Sequence, residues 1–415
     1  MPKSLKISLL AVSVALILCI FVGVNTHSVS ASGDPGPQDA YNQINVYGEV
    51  LQHIQSDYVE VPNIPKVTNG ALRGLLESLD ADSSYLTPAD YKVYKENHGG
   101  KAQVGIVVSK RYGYATVVSV VPGSPADKAG LVDGDIIEAI GMEDTRNLSL
   151  DMIQLLLEGA PGSQLQMAVI GPHSAKPQKM TLNRVLVVEP SVKESLYEGT
   201  SILYLKPVII DREHIQQIET WLKDMNKDGN KKILLDLRDV SAGDMTEAVR
   251  LTNFFVNTGT IASLEGQKFP RQVFRADSEK TINATAPVVV LVNRGTAGPA
   301  EVVAAALGDN KRGEVVGEKT FGEGAQQKTF ELPDGSALIL SVAKYESPSG
   351  KKLQDDGVTP EVVLTSPEDD QVAVDADTVQ AQDASSTAAK PVKKMPPPVD
   401  EPLEKALDIL KAKAA

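Results

Sequence analysis

Apolar residues at Ile44, Tyr47, Leu51, Ile54 and Tyr58 recur every three or four positions, which predicts one face of a helix. A second helical stretch runs from Ala71 to Leu79 and ends in the polar run Asp80, Ala81, Asp82, Ser83, Ser84, Tyr85, Leu86, Thr87, Pro88. From about Lys101 the texture changes. The β-branched runs Val104 to Val108 and Thr116 to Val121, broken by Gly and Pro, predict strands joined by turns. Within Gly123 to Ile137, a short helix over Pro125 to Ala129 closes at Gly130, and an Asp133-Gly134 turn feeds a strand carrying Ile136 and Ile137. A further helix is predicted from Ser149 to Glu158, with apolar Met152, Ile153, Leu155, Leu156 and Leu157. Beyond Val188, strands alternate with helices: Ile202 to Leu205, His214 to Met225, Ile233 to Leu237, and Pro287 to Val292 leading into a helix at Pro299. Such alternation predicts an α/β core. The stretch from Ser366 to Val399 is acidic, rich in Ala, Ser and Pro and poor in large apolar groups, as disordered linkers are. A last amphipathic helix starts at Asp400, its N-cap, with Leu403, Leu407 and Leu410 on one side.

The first residues follow another logic. Lys3 and Lys6 precede an apolar run from Leu9 to Val24, and Val29-Ser30-Ala31 offers a small-residue cleavage site, the pattern of an export leader. The run is short for a spanning helix, so cleavage is expected, with retention as an inner-membrane anchor the alternative. The single cysteine, Cys19, lies in this segment, and Leu18 before it is too large for a lipoprotein signal. The expected destination is periplasmic or extracellular. A net charge of -13 excludes a phosphate-tracking surface, so no nucleic-acid partner is expected, and membrane contact only through the N-terminal segment. A chain of 415 residues accommodates two or three domains.

Candidate chemistry is concentrated in two short runs: Asn293, Arg294, Gly295, Thr296, Ala297, Gly298, Pro299, Ala300, Glu301, and Gly317, Glu318, Lys319, Thr320, Phe321, Gly322, Glu323, Gly324. They resemble the two site motifs of the C-terminal processing (tail-specific) serine peptidases, N-x-G-S-A-S-A-S-E and G-E-K-T-F-G-K-G. The resemblance implies that the nucleophile position is Gly298 and the general-base position is Glu323. Gly298 has no hydroxyl, and Glu323 cannot act as a neutral lysine. The residue after the nucleophile lends its N–H to the family's oxyanion hole; here it is Pro299, which has none. The other half of that hole corresponds to Ala242 and Gly243, and a β-carbon at Ala242 is expected to hinder a turn that needs positive φ there. Glu301, Asp309 and Gln327 fall at supporting positions, and Asp82 stands where the family's L-D-P-H-S element has histidine. Thr296 keeps the first hydroxyl of the motif, two residues before the reactive one, and is the weak candidate for an alternative nucleophile. No cofactor and no metal site are expected: His53, His98, His173 and His214 are scattered, and Glu301, Asp309 and Glu323 lack the spacing of a cation loop.

Gly123 to Ile137 is similar to the PDZ signature G-S-P-A-x-x-A-G-L-x-x-G-D-x-I. The resemblance implies a carboxylate-gripping loop at Val104, Gly105, Ile106 and Val107, faced by Met152 and Leu156, and hence a partner that is an unfolded protein or an apolar carboxyl terminus. The expected fold class is α/β and multi-domain. It comprises a leader or anchor (1–31), a helical N-terminal region (40–98), an α+β PDZ domain (101–187), a crotonase- or ClpP-like α/β peptidase core (188–365), a linker (366–399) and a C-terminal helix (400–415). The expected function is that of an exported pseudopeptidase that binds such segments, or that pairs with itself or an active relative and regulates it. The alternative is an active serine-type endopeptidase using unconventional groups.

Overall fold

The computed structural model describes residues 37–96, 102–111, 113–171, 176–197, 201–225, 231–364 and 400–413. The expected leader, the linker at 366–399, His98 and His173 lie outside them. The chain divides into two units, Met1–Thr68 and Asn69–Ala415. In the first, helix α1 (Pro37–Asp57) carries the predicted stripe, with Ile44 and Tyr47 exposed and Leu51 and Ile54 half-buried. Helix α2 (Ile64–Glu77) follows.

The division falls within α2, and the second unit continues with strand β1 (Ser84–Leu86) and helix α3 (Pro88–Glu96). Thr87 caps α3: its Oγ1 accepts the Asp90 N–H at 3.2 Å, and Pro88 occupies the first turn, where no donor is required. Next comes an antiparallel sheet made of β2 (Ile106–Arg111), β3 (Tyr114–Val120), β4 (Ile136–Ile140), β5 (Glu143–Asp144), β6 (Gln164–Ile170) and β7 (Gln178–Asn183). Its order is β2-β3-β4-β6-β7, with β5 on β4. Helix α4 (Pro125–Lys128) is capped by Ser124, whose hydroxyl accepts the Asp127 N–H at 3.2 Å, and Gly130 leaves it at φ 82° as anticipated. Helix α5 (Leu150–Leu157) covers the sheet with Leu150, Ile153 and Leu157.

The remaining residues form the α/β core: β8 (Lys193–Tyr197), β9 (Ile202–Lys206), α6 (Arg212–Met225), β10 (Lys232–Asp236), α7 (Met245–Asn253), β11 (Thr260–Glu265), β12 (Gln272–Arg275), β13 (Val288–Val292), α8 (Pro299–Asp309), β14 (Gly313–Gly317), β15 (Ala325–Glu331), β16 (Ala337–Glu346), β17 (Val362–Val363) and α9 (Glu401–Ala412). A six-stranded sheet runs β17-β14-β13-β10-β9-β8, parallel except for β8. The all-apolar run Val288–Val292 is buried throughout, as a central parallel strand covered on both faces must be. Residues of α6, α7 and α8 pack with one face of this sheet in a single core, whereas Ala406 and Leu410 of α9 are buried against Tyr204, Leu234 and Leu291 on the other. A second sheet, β1-β16-β11-β12 with β15 on β16, flanks the core.

Candidate functional site

The carboxyl ends of β10 and β13, neighbours in the parallel sheet, open into the two loops that matter, as α/β sheets generally arrange their sites. The β13 loop runs from Asn293 to Gly298 and enters α8 through Pro299, its first residue. Gly298 sits at φ 57°, ψ -119°, a sharp turn that a residue with a β-carbon adopts only under strain. A β-carbon built there meets only one heavy atom within 4 Å, the Ser241 carbonyl oxygen at 3.8 Å. Backbone geometry and space for a nucleophile are therefore present, and the hydroxyl is not. The neighbouring polar atom is an acceptor, where stabilising an oxyanion requires donors.

Thr296 is fully buried. Its Oγ1 donates to the Leu237 carbonyl at 2.8 Å and accepts the Asn293 N–H at 3.0 Å, so the hydroxyl ties the β10 and β13 loops together. The Asn293 side chain does the same, accepting the Asp239 N–H at 3.0 Å and donating to Asp239 Oδ1 at 2.7 Å. The β10 loop takes its left-handed residue at Asp239 (φ 65°). Ala242 is not among the residues of positive φ, so the hindrance expected there does not arise: the turn is built elsewhere. Gly243, at φ 141°, is needed because a β-carbon would lie 2.3 Å from the Ile210 carbonyl oxygen.

Glu301 is the hub of the site. Fully buried on the first turn of α8, its carboxylate accepts the Gly298 N–H at 3.0 Å, the Gly322 N–H at 2.8 Å, the Glu323 N–H at 2.7 Å and the Thr320 hydroxyl. Burial pushes its pKa up to about 7, against these four donors, which hold the anion. One side chain thus clamps the turn at 298 to the loop at 320–323.

Glu323 faces a cleft of about 600 Å3 whose walls include Asp82, Ser109, Lys110, Arg294 and Gln354. Burial first, then the nearby Asp82 and Glu301 charges, push Glu323 up to about 8. Asp82 is pushed up to about 6 by burial and by Asp80, although Gln354 Nε2 donates to it at 2.9 Å. Gln327 Nε2 donates to the Asp82 backbone carbonyl at 2.6 Å. Asp309 is not brought to this place: it ends α8, about 15 Å along the helix from Gly298, where its Oδ2 accepts the Ser349 N–H at 2.9 Å. Among the described residues, no group of three or more His, Cys, Asp or Glu is placed to hold a metal ion.

The antiparallel domain leans on both loops. The hydroxyls of Ser119 on β3 and Ser241 share a hydrogen bond, Arg294 Nε donates to Asp133 Oδ2 at 2.7 Å, and a β-carbon on Gly295 would stand 3.1 Å from the Val118 carbonyl oxygen. Gly105, at φ 86°, lies so close to Ser124 that a β-carbon would come within 2.3 Å of Ser124 Cβ. Val104 and Ile106 belong to that domain's core, and the half-buried Val107 lines a second cavity of about 320 Å3 that reaches Arg238 and Ala242. Leu156 packs on the same core, whereas Met152 packs on the cluster of Leu86, Tyr91 and Ile339.

Sequence reasoning passed over the pairing of Asp82 with Glu323 and the ties made by Asn293, Asp239, Ser119 and Ser241. The only local signal was the acidic stretch at Asp80 and Asp82; nothing in it indicates which distant loop it meets.

Residues 202–364 match peptidase family S41, and residues 116–170 match the PDZ domain family. The chain is 30% identical over 336 residues to the carboxy-terminal-processing protease of Bartonella bacilliformis, an alignment spanning 80% of this chain and 77% of that protein. It is 28% identical over 413 residues to the carboxy-terminal processing protease CtpA of Bacillus subtilis, spanning 95% and 85%. Among solved structures, the photosystem II D1 C-terminal processing protease superposes with a TM-score of 0.65 at 26% identity, covering 79% of this chain and 88% of that one.

Proposed function

Because this chain belongs to the carboxy-terminal-processing peptidases of family S41 and carries a PDZ domain, we propose that it is a non-hydrolytic member that binds unfolded or carboxyl-terminal peptide segments. The observation that carries this reading is Gly298: the turn that would present a nucleophile is held in place by Glu301 and presents no side chain. Two further defects are independent of it. Glu323 supplies a carboxyl where the resemblance implies a lysine base, and Pro299 cannot donate to an oxyanion. Loss of one such donor lowers the rate by roughly a hundredfold to a thousandfold. Thr296 supplies no substitute nucleophile, since its hydroxyl is buried and engaged on both sides.

Binding rests on the PDZ domain, whose family takes extended carboxyl termini as an added strand. Export is part of the proposal and rests on Lys3, Lys6 and the run from Leu9 to Val24. The test is fluorescence anisotropy with an unstructured peptide ending in an apolar residue, compared with the same peptide amidated at its terminus. The free acid should bind at least tenfold more tightly. Equal affinities, or no binding of either, would contradict the assignment of this domain.

A further inference from the structure

The cleft beside Gly322 holds two carboxylates that the protein itself hardly neutralises. Among the described residues Asp82 receives one side-chain donor, Gln354. Glu323 receives none among the described residues and is half-buried at the cleft. Two of the three cations that line the cleft are committed elsewhere. Lys110 Nζ donates to Glu77 at 2.7 Å and to the Leu148 carbonyl at 2.8 Å, and Arg294 is paired with Asp133. Asp355, on the cleft wall, is paired with Lys344 at 3.2 Å, and Lys319, the third cation of the lining, is exposed. Behind the cleft, Glu301 is saturated by its four donors, while Asp80, Asp151 and Asp355 add negative charge around Asp82.

A cavity of about 600 Å3 has room for a long side chain. Two carboxyls that line one cleft repel each other when both are ionised, so the empty pair retains a proton that a bound cation would displace. Ser109 and Lys110, near the end of β2, form one wall of the cleft, and among the described residues β2 is bonded to β3 alone, so its other edge carries no strand there. A chain added along that edge would run beside Ser109 and Lys110, which line the cleft. No three acidic or histidine groups among the described residues are placed to hold a metal ion, which favours an organic cation as the occupant.

We propose that the Asp82–Glu323 cleft receives a lysine or arginine side chain of the peptide that the PDZ domain holds, so that the degenerate site selects basic segments. This rests on the peptide-binding reading above. The residues that remove the chemistry of the site then also give it a charge specificity.

The experiment uses the full chain and two sets of unstructured peptides ending in the same apolar residue. One set carries a lysine at successive positions upstream of the terminus, and the other carries norleucine, its uncharged counterpart, at the same positions. At one or two neighbouring positions, lysine should bind at least tenfold more tightly than norleucine at pH 8.5, and the ratio should shrink toward one at pH 5.5 as both carboxyls hold protons. In Glu323→Gln the ratio at pH 8.5 should fall close to one, and Asp82→Asn should reduce it, with circular dichroism spectra matching the parent. Equal binding of lysine and norleucine peptides at every position would overturn the subsite while leaving the PDZ reading intact. A ratio unchanged in both variants would overturn it as well. Failure of all peptides to bind would remove both readings together.

Discussion

Gly298 is held at φ 57° with open space where a side chain would project. Gly298→Ser should therefore fold, at a loss of about 1–3 kcal/mol for a β-carbon in a sparsely populated backbone conformation, read by chemical denaturation. It should show no hydrolysis of a fluorogenic unfolded substrate, because the base and an oxyanion donor are still missing and such groups act non-additively. Measurable turnover from that single change would contradict the roles given to Glu323 and Pro299. Glu323 makes a separate prediction. Folding raises its pKa from 4.5 to about 8, so between those values the folded chain keeps a proton that the unfolded chain has released. Stability must then fall as pH rises through that window. Glu323→Gln should be more stable than the parent at pH 8 by ~1–3 kcal/mol, after allowance for water in the cleft, with the difference vanishing near pH 4.5. A parent and variant with parallel pH profiles would show that Glu323 is ionised without penalty. At this scale the sequence was legible where a motif position is read directly, as at Gly298, Pro299 and Glu323. It was not legible where two loops meet: Asp82 and Glu323 are 241 positions apart in a chain of 415, and no local pattern encodes their approach.

The first turn of α8 depends on Glu301 more than on helix propensity. Its carboxylate satisfies the Gly298 N–H at the helix start and reaches two N–H groups of the 320–323 loop. Glu301→Gln would turn an amide N–H2 toward these donors and should cost ~2–4 kcal/mol, with faster hydrogen exchange at Gly322 and Glu323. A smaller effect spread evenly over the core would mean that the clamp is not local. At the other end of the chain, α9 is held to the sheet by buried Ala406 and Leu410, and Lys232 Nζ donates to the Leu410 and Lys413 carbonyls at its end. Leu410→Ala should cost ~2–4 kcal/mol, and limited proteolysis should then remove α9 first. This helix, the strand Val288–Val292 and the Pro125 to Gly130 turn follow from period and punctuation alone. Strands β15 and β16 did not. Nearly every residue of β15 is exposed, so no alternation marks it, and its partner is set by the flanking sheet and not by its own sequence.

For the molecule, the consequential contact is the one between the PDZ domain and the site loops, made by Ser119 with Ser241 and by Asp133 with Arg294. Strand β3 lies against the loops at Ser241 and Gly295, so a displacement of the PDZ domain would reach the site directly. Arg294→Ala should loosen it, seen as faster hydrogen exchange in β3 while exchange in β13 stays at the parent rate; unchanged exchange in β3 would show that the ion pair does not hold the domains together. The α/β alternation and the PDZ signature made the two domains visible in the sequence, but nothing there shows which strand of one rests on which loop of the other. Under the function proposed above, this family scaffold keeps its peptide-binding parts without its chemistry. The direct measurement is intact-mass spectrometry of an unfolded protein substrate ending in an apolar residue, incubated with the purified chain and then separated by size. The substrate should remain uncut and co-elute with the protein. Defined fragments that disappear in Thr296→Ala would contradict it.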